Sequence, residues 1–137
     1  MFSHDTPEDP TTGARDEEAK VVRELRKIMR EPGLRIGVTC VRAPVPRAHS
    51  IALTVEFEWP VGRADGREIL APAPGVRGVD DMLRNHFPMP REASWQGGVL
   101  IGRVRRDPSD PSGCSLTLFV AGDQLLKGAA LNAVQIA

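Results

Sequence analysis

The chain has 137 residues, enough for one folded core and too few for two domains of ordinary size. Its 18 basic and 18 acidic side chains cancel, so no whole-chain field attracts nucleic acid or an anionic membrane. The sequence contains neither a signal-peptide core nor an apolar run of membrane-spanning length, which predicts a cytoplasmic protein without a membrane partner.

The first predicted element is a helix that follows a polar lead-in. Residues 1–15 are rich in proline and acidic side chains, so we expect them to be flexible. From Asp16 to Arg30 the apolar side chains recur at helical spacing, at Val21, Val22, Leu25, Ile28 and Met29. The pattern predicts an amphipathic helix that ends at Pro32-Gly33 and packs on a sheet.

Two runs of alternating apolar and polar residues come next, at 34–42 and 49–59, separated by a Pro-x-Pro break. Period-two alternation predicts two strands, each with one buried face. By parity Arg42 and His49 both belong to the apolar side. If the runs pair as an antiparallel hairpin with matched faces, Arg42 lies opposite His49 at one end of a sheet.

The remaining elements alternate between strands and short helices. We predict a helix at 64–70, an edge strand at 76–79, a long surface loop at 80–97, an antiparallel pair of strands at 99–104 and 116–120, and a final helix capped by Gly122-Asp123. Loops as long as the one at 80–97 are usually functional or form interfaces. The predicted fold class is α+β, a mostly antiparallel sheet with helices packed on one face.

Two segments resemble a known enzyme family. The run Thr39-Cys-Val-Arg-Ala-Pro-Val-Pro-Arg-Ala-His-Ser50 is similar to the substrate-site segment of aspartate-β-semialdehyde dehydrogenases, and Gly122–Ala137 is similar to their C-terminal helix. Residues 16–137 thus resemble the dimerisation and substrate domain of that family. The resemblance implies the C-terminal domain fold that semialdehyde dehydrogenases share with glyceraldehyde-phosphate dehydrogenase.

The resemblance also implies roles for five side chains. Arg42 matches the arginine that holds the substrate carboxylate, and His49 matches the acid–base histidine. Glu17 matches a residue that binds the polar end of the substrate, and Lys20 one that helps to hold phosphate. Gln124 matches an amide that contacts the nicotinamide end of NADP.

The residues by themselves leave ordinary structural roles open. Glu17 and Lys20 are three apart on a helix, where such pairs are usually solvated. An arginine at a strand end is more often ion-paired, and a single histidine more often makes structural hydrogen bonds. Gln124 has the alternative of a surface position near a helix start.

Some features of the family are not found in these residues. The Asn-x-x-Cys type motif of the nucleophile and the glycine-rich turn of an N-terminal Rossmann domain do not occur, so we expect the chain alone to be inactive and to use NADP only if that half is supplied. Cys40 and Cys114 lie in apolar runs typical of buried thiols. Ala48 stands where the family usually has glycine, which matters if that position needs a positive φ.

The expected partners are a second copy of the chain, or a full-length or N-terminal partner, together with a small-molecule substrate. Whether the chain is an enzyme stays open, because two other interpretations fit: a non-catalytic dimerisation paralogue, and a domain similar to N-acetylglutamyl-phosphate reductase. No metal site is predicted, since the three histidines are far apart and the cysteines form no Cys-x-x-Cys pair.

Overall fold

The computed structural model describes all 137 residues, and they divide into two units, Met1–Pro44 and Val45–Ala137. The first unit contains one helix, α1 (Asp16–Met29), and two short antiparallel strands, β1 (Phe2–Ser3) and β2 (Val41–Arg42). No helix of the chain is both long and apolar enough to cross a bilayer.

The predicted first helix is confirmed. The Glu18 carboxylate accepts the backbone N–H of Arg15 at 2.9 Å and so caps the first turn, while Arg30 ends the helix in a left-handed conformation with φ of 55°. No residue of α1 is fully buried: Val21 and Val22 at the start of its apolar stripe are half-buried, whereas Ile28 near its end is 72% exposed. The stripe is therefore covered in part at its start and exposed at its end.

The predicted hairpin between 34–42 and 49–59 is wrong. Arg42 lies opposite Phe2, and His49 lies opposite Gly122. The alternation at 34–42 is real, because every second residue from Leu34 to Cys40 is half-buried, yet only Val41–Arg42 pairs as a strand. Alternation reports which face of a strand is buried, whereas it does not identify the neighbouring strand.

The second unit is built on a four-stranded sheet in the order β3-β6-β5-β4. Its strands are β3 (His49–Glu56), β4 (Val76–Gly78), β5 (Val99–Arg106) and β6 (Ser115–Gly122). The predicted β5–β6 hairpin and the edge position of β4 are confirmed. The central strand β6 pairs antiparallel with both neighbours, whereas β4 pairs parallel with β5.

The helices of this unit are α2 (Arg63–Leu70), α3 (Pro90–Ala93), a π-helical turn (Leu126–Ala130) and α4 (Leu131–Ile136). The α+β class is confirmed, with one correction. A side chain added at Gly66 of α2 would meet Leu116, whereas Ala93 of α3 clusters with Ala121. Leu116 and Ala121 are five apart on a regular strand and point to opposite faces, so helices contact both faces of the sheet.

The two faces of the sheet are covered unequally. On one face small side chains make a tight cluster, formed by Ala48, Ala93, Leu100 and Ala121. Ala93 is fully buried, so the segment at 80–97 is not only the surface loop that was predicted. The other face carries an apolar patch whose members are half-buried or exposed, and we call it the open sheet face: Ile51, Leu53, Val55, Leu118 and Val120.

Candidate functional site

Two of the predicted site residues, His49 and Gln124, line the same pocket in the second unit. The pocket is shallow, with a volume of about 230 Å³, and lies where β3 begins and β6 ends. Because His49 is paired with Gly122, the turn that follows Gly122 brings Gln124 to the same place. The other lining residues are Ile51, Val99, Val120, Gly122, Asp123, Lys127 and Gly128.

Besides the carboxylate of Asp123, the polar side-chain groups of this pocket are an imidazole, an amide and an ammonium group. The Oε1 atom of Gln124 is buried and accepts no hydrogen bond. Lys127 donates from Nζ to Oε1 of Gln135 at 2.7 Å. A buried acceptor without a donor lowers stability unless a ligand or water supplies one, so the Gln124 carbonyl is suited to accept an N–H from a bound group.

Asp123 is the most tightly held charged side chain at this site. Its carboxylate is 1% exposed and accepts hydrogen bonds from Arg47 Nε at 2.7 Å and Nη2 at 3.2 Å. These bonds hold the pKa of Asp123 at about 2, against the opposing effect of burial. The sequence indicated Asp123 as a helix cap, but it gave no sign of Arg47 as the partner.

The backbone before His49 adopts an unusual conformation. Ala48 has φ of 75°, in the left-handed region that favours glycine, and its methyl group is buried in the cluster described above. The concern raised by an alanine at this position is therefore justified. The conformation is fixed by packing around Ala48, and it sets the direction in which β3 starts.

The remaining predicted residues belong to the first unit. Lys20 donates to Glu17 Oε1 at 3.1 Å, and this bond raises the pKa of Lys20. Both side chains are partly exposed. The predicted neighbour relation is confirmed, and by itself it agrees with a solvated pair as well as with a binding pair.

Glu18, which the sequence did not single out, connects the helix to the segment that ends in Arg42. One of its carboxylate oxygens accepts the N–H of Arg15, and the other accepts the N–H of Cys40 at 2.9 Å. These two bonds, the one from Arg15 first, lower the pKa of Glu18. The first turn of α1, with Glu17 and Lys20, is thereby held close to the residues before Arg42.

Arg42 already binds a carboxylate within the chain. Its Nε and Nη2 atoms donate to Oδ1 of Asp5 at 3.4 and 3.2 Å, and both side chains are more than half exposed. The pKa of Asp5 is lowered, first by its own backbone N–H and then by Arg42. The guanidinium is thus able to hold a carboxylate, and any ligand must compete with Asp5 for it.

Cys40 has the wrong surroundings for a nucleophile. Burial, followed by the negative charges of Glu18 and Glu17, raises the pKa of its thiol. A raised pKa keeps the sulfur protonated near neutral pH, whereas attack requires the thiolate. This observation supports the expectation that Cys40 is not the catalytic cysteine.

Comparison with known proteins gives one consistent result. Residues 4–127 match the family model described as semialdehyde dehydrogenase, dimerisation domain. The aspartate-semialdehyde dehydrogenase of Synechocystis sp. is 48% identical over 137 residues, which are 100% of this chain and 40% of that protein. The enzyme of Prochlorococcus marinus is 42% identical over 100% of this chain and 39% of its own length.

Solved structures agree with the sequence relatives. The crystal structure of aspartate semialdehyde dehydrogenase II from Vibrio cholerae, complexed with ASA, superposes with a TM-score of 0.89 at 34% identity and covers 98% of this chain and 39% of that one. A structure from Pseudomonas aeruginosa, named a probable aspartate-semialdehyde dehydrogenase, has a TM-score of 0.86 at 29% identity, with the same coverage. The chain spans about 40% of the length of the curated relatives that it matches.

Proposed function

This chain belongs to the semialdehyde dehydrogenase family, and we propose that it supplies the dimerisation domain and the substrate-binding, acid–base half of an aspartate-semialdehyde dehydrogenase active site. The reaction is the NADP-dependent interconversion of aspartyl phosphate and aspartate semialdehyde in amino-acid biosynthesis. The observation that carries the proposal is the shared pocket of His49 and Gln124, two residues that the family resemblance selected independently from distant parts of the sequence.

In this proposal the first unit binds the substrate. Arg42 holds the substrate carboxylate, as it now holds the carboxylate of Asp5. Glu17 binds the polar end of the substrate, and Lys20 adds a positive charge for phosphate. The contacts of Glu18 support this assignment, because they hold the first turn of α1 next to the strand that carries Arg42.

His49 moves the proton. Its imidazole can accept a proton from an attacking thiol and return it to the oxygen of the substrate carbonyl. The thiol comes from another part of the enzyme, since the environment of Cys40 disfavours its thiolate and Cys114 precedes β6 at the end away from the Gly122–His49 pair. The pocket lining next to His49 is apolar and is formed by Ile51, Val99 and Val120.

The nicotinamide end of NADP is the part of the cofactor that this pocket would bind. The free acceptor of Gln124 would take an N–H from the carboxamide of the nicotinamide ring. NADP, when bound, accepts or donates the hydride. The role of this chain toward it is to orient the nicotinamide end through Gln124, while the dinucleotide fold is supplied by another part of the enzyme.

The open sheet face supports assembly with a second copy. It presents contiguous apolar side chains from β3 and β6, and Ile51 at its edge is 52% exposed. Exposed apolar patches of this kind usually mark interfaces.

Leu53→Glu should therefore give a monomer, whereas the control Thr54→Glu, on the opposite face of the same strand, should leave the dimer intact. Light scattering measures the oligomeric state. A chain that is monomeric both alone and with a full-length relative contradicts this part of the proposal.

A chimera tests the catalytic proposal. This chain would replace the matching 40% of the Synechocystis enzyme, and NADPH production would be measured with aspartate semialdehyde, phosphate and NADP. We expect the chimera to turn over and the isolated chain to show no steady NADPH production. A chimera that folds and dimerises without activity, or an isolated chain that is active, would overturn the proposal.

A non-catalytic dimerisation protein is the second candidate. The observation that favours it is the Asp5–Arg42 pair, because an internal carboxylate occupies the group that would bind substrate. An inactive chimera that still forms dimers would support this candidate.

A further inference from the structure

The carboxylate of Asp123 joins three parts of the second unit that are distant in sequence. It binds Arg47, which is 76 positions away, and accepts the backbone N–H of Trp95, 28 positions away, at 2.7 Å. Its Oδ1 atom also accepts the backbone N–H groups of Leu125 and Leu126 at 2.9 and 3.2 Å. One side chain thus fixes the entry to β3, the end of α3 and the turn before the C-terminal helices.

Arg47 is held on two sides. Its guanidinium binds Asp123 through two nitrogens, and its centre lies 3.5 Å from the centroid of the Trp95 ring. The side chain is only 18% exposed. A planar guanidinium that is both paired bidentately and stacked has little freedom to move. Trp95 itself has φ of 66°, a conformation that its hydrogen bond to Asp123 helps to maintain.

Each member of this ion pair shortly precedes a pocket residue in the sequence. Arg47 is separated from His49 only by Ala48. The buried methyl group and positive φ of Ala48 leave the backbone there little freedom to move. Asp123 immediately precedes Gln124, and its bonds to the next turn set where that turn begins. The backbones of His49 and Gln124 are therefore each within two residues of one member of the Arg47–Asp123 pair.

We propose that the Arg47–Asp123 pair is a positioning element that fixes His49 and Gln124 relative to each other across the pocket. The inference rests on the proposed function for the roles of His49 and Gln124, but the coupling itself is a property of the folded chain. Arg47 does not line the pocket, and both carboxylate oxygens of Asp123, which does, are occupied by Arg47 and by backbone N–H groups. Their effect is exerted through the backbone that each shares with a pocket residue.

The test compares two buried aspartates in the full chain. Asp123→Asn removes the charge that holds Arg47, and Arg47→Lys keeps the cation but loses the two-nitrogen contact. The control is Asp80→Asn, because the Asp80 side chain is 7% exposed, binds Arg67 at 2.9 Å and accepts the N–H of Arg103. Asp80 is not a lining residue of the His49–Gln124 pocket.

The readout is the NMR signals of the His49 ring and of the Gln124 side-chain amide, recorded without ligand at a temperature where each variant is folded. We expect Asp123→Asn and Arg47→Lys to move both signals by more than their linewidths, and Asp80→Asn to leave them in place. Unchanged signals in a folded Asp123→Asn variant overturn the inference. If that variant does not fold, unchanged signals in Arg47→Lys overturn it. Since no catalysis is measured, an inactive chimera would not affect this result.

Discussion

The chain contains two arginine–aspartate pairs close to predicted site residues, and they differ in almost every physical respect. Arg47–Asp123 is buried, bidentate and reinforced by three backbone N–H groups. Arg42–Asp5 is more than half exposed, with donor–acceptor distances of 3.2 and 3.4 Å. A buried pair with all its partners in place is costly to break, whereas an exposed pair contributes little. The first is suited to hold a pocket in shape, and the second to exchange one carboxylate for another.

Breaking the two arginine–aspartate pairs should differ most in its effect on thermal stability. Asp123→Ala leaves the Arg47 guanidinium without its counter-charge and removes the cap of the next turn, so we expect the melting temperature to fall by roughly 10 °C. Asp5→Ala should change it by no more than about 2 °C, because that pair is exposed. Calorimetry on the two variants measures both values. Equal shifts would remove the distinction between the pairs.

The pH dependence of stability sharpens the same comparison. The pKa of Asp123 is about 2 in the folded chain and 3.8 without its partners. A group whose folded pKa is depressed stabilises the fold above its unfolded pKa, and this contribution is lost as pH falls from about 4 to about 2. Denaturant unfolding at several pH values should show this acid loss in the wild type and a shallower slope in Asp123→Asn. An unchanged slope in Asp123→Asn contradicts the assignment.

A smaller effect is expected at Arg42. Asp5→Asn removes the internal competitor, so a carboxylate ligand should bind Arg42 more tightly, by about two- to fivefold. An NMR titration with L-aspartate that follows the Arg42 Nε–H signal measures the change. Asp9→Asn is the matched control, because Asp9 is exposed and binds only the N–H groups of its own turn. An equal gain in the control would mean that general charge, not competition, is responsible.

Local patterns predicted most of the elements, because helix caps and alternation depend on neighbours in sequence. The apolar spacing from Val21 to Met29 identified α1, and the turn-rich segment before Cys114 identified the β5–β6 hairpin. The pairing of β3 was missed because a strand of alternating parity can accept any partner with a matching face, and its actual partner β6 is more than fifty positions away.

The candidate site was predictable only where single residues carried the signal. His49 and Gln124 came from the family resemblance, and the structure places them in one pocket. The partners Asp5, Glu18 and Arg47 were missed, since each acts through a contact that only the fold creates. A charged residue one or two positions from a predicted site residue is the sequence signal that could have directed attention to Arg47 and Glu18, whereas Asp5 is 37 positions from Arg42.

The most direct measurement concerns His49 in the Synechocystis chimera. His49→Asn removes the proton carrier from the pocket, and His86→Asn is the matched control, because His86 contacts Glu92 at 2.6 Å outside it. We predict that His49→Asn lowers the rate of NADPH production by roughly 100-fold or more, while His86→Asn stays within about twofold of the parent chimera. Equal rates in the two variants would contradict the claim that this domain supplies the acid–base half of the active site.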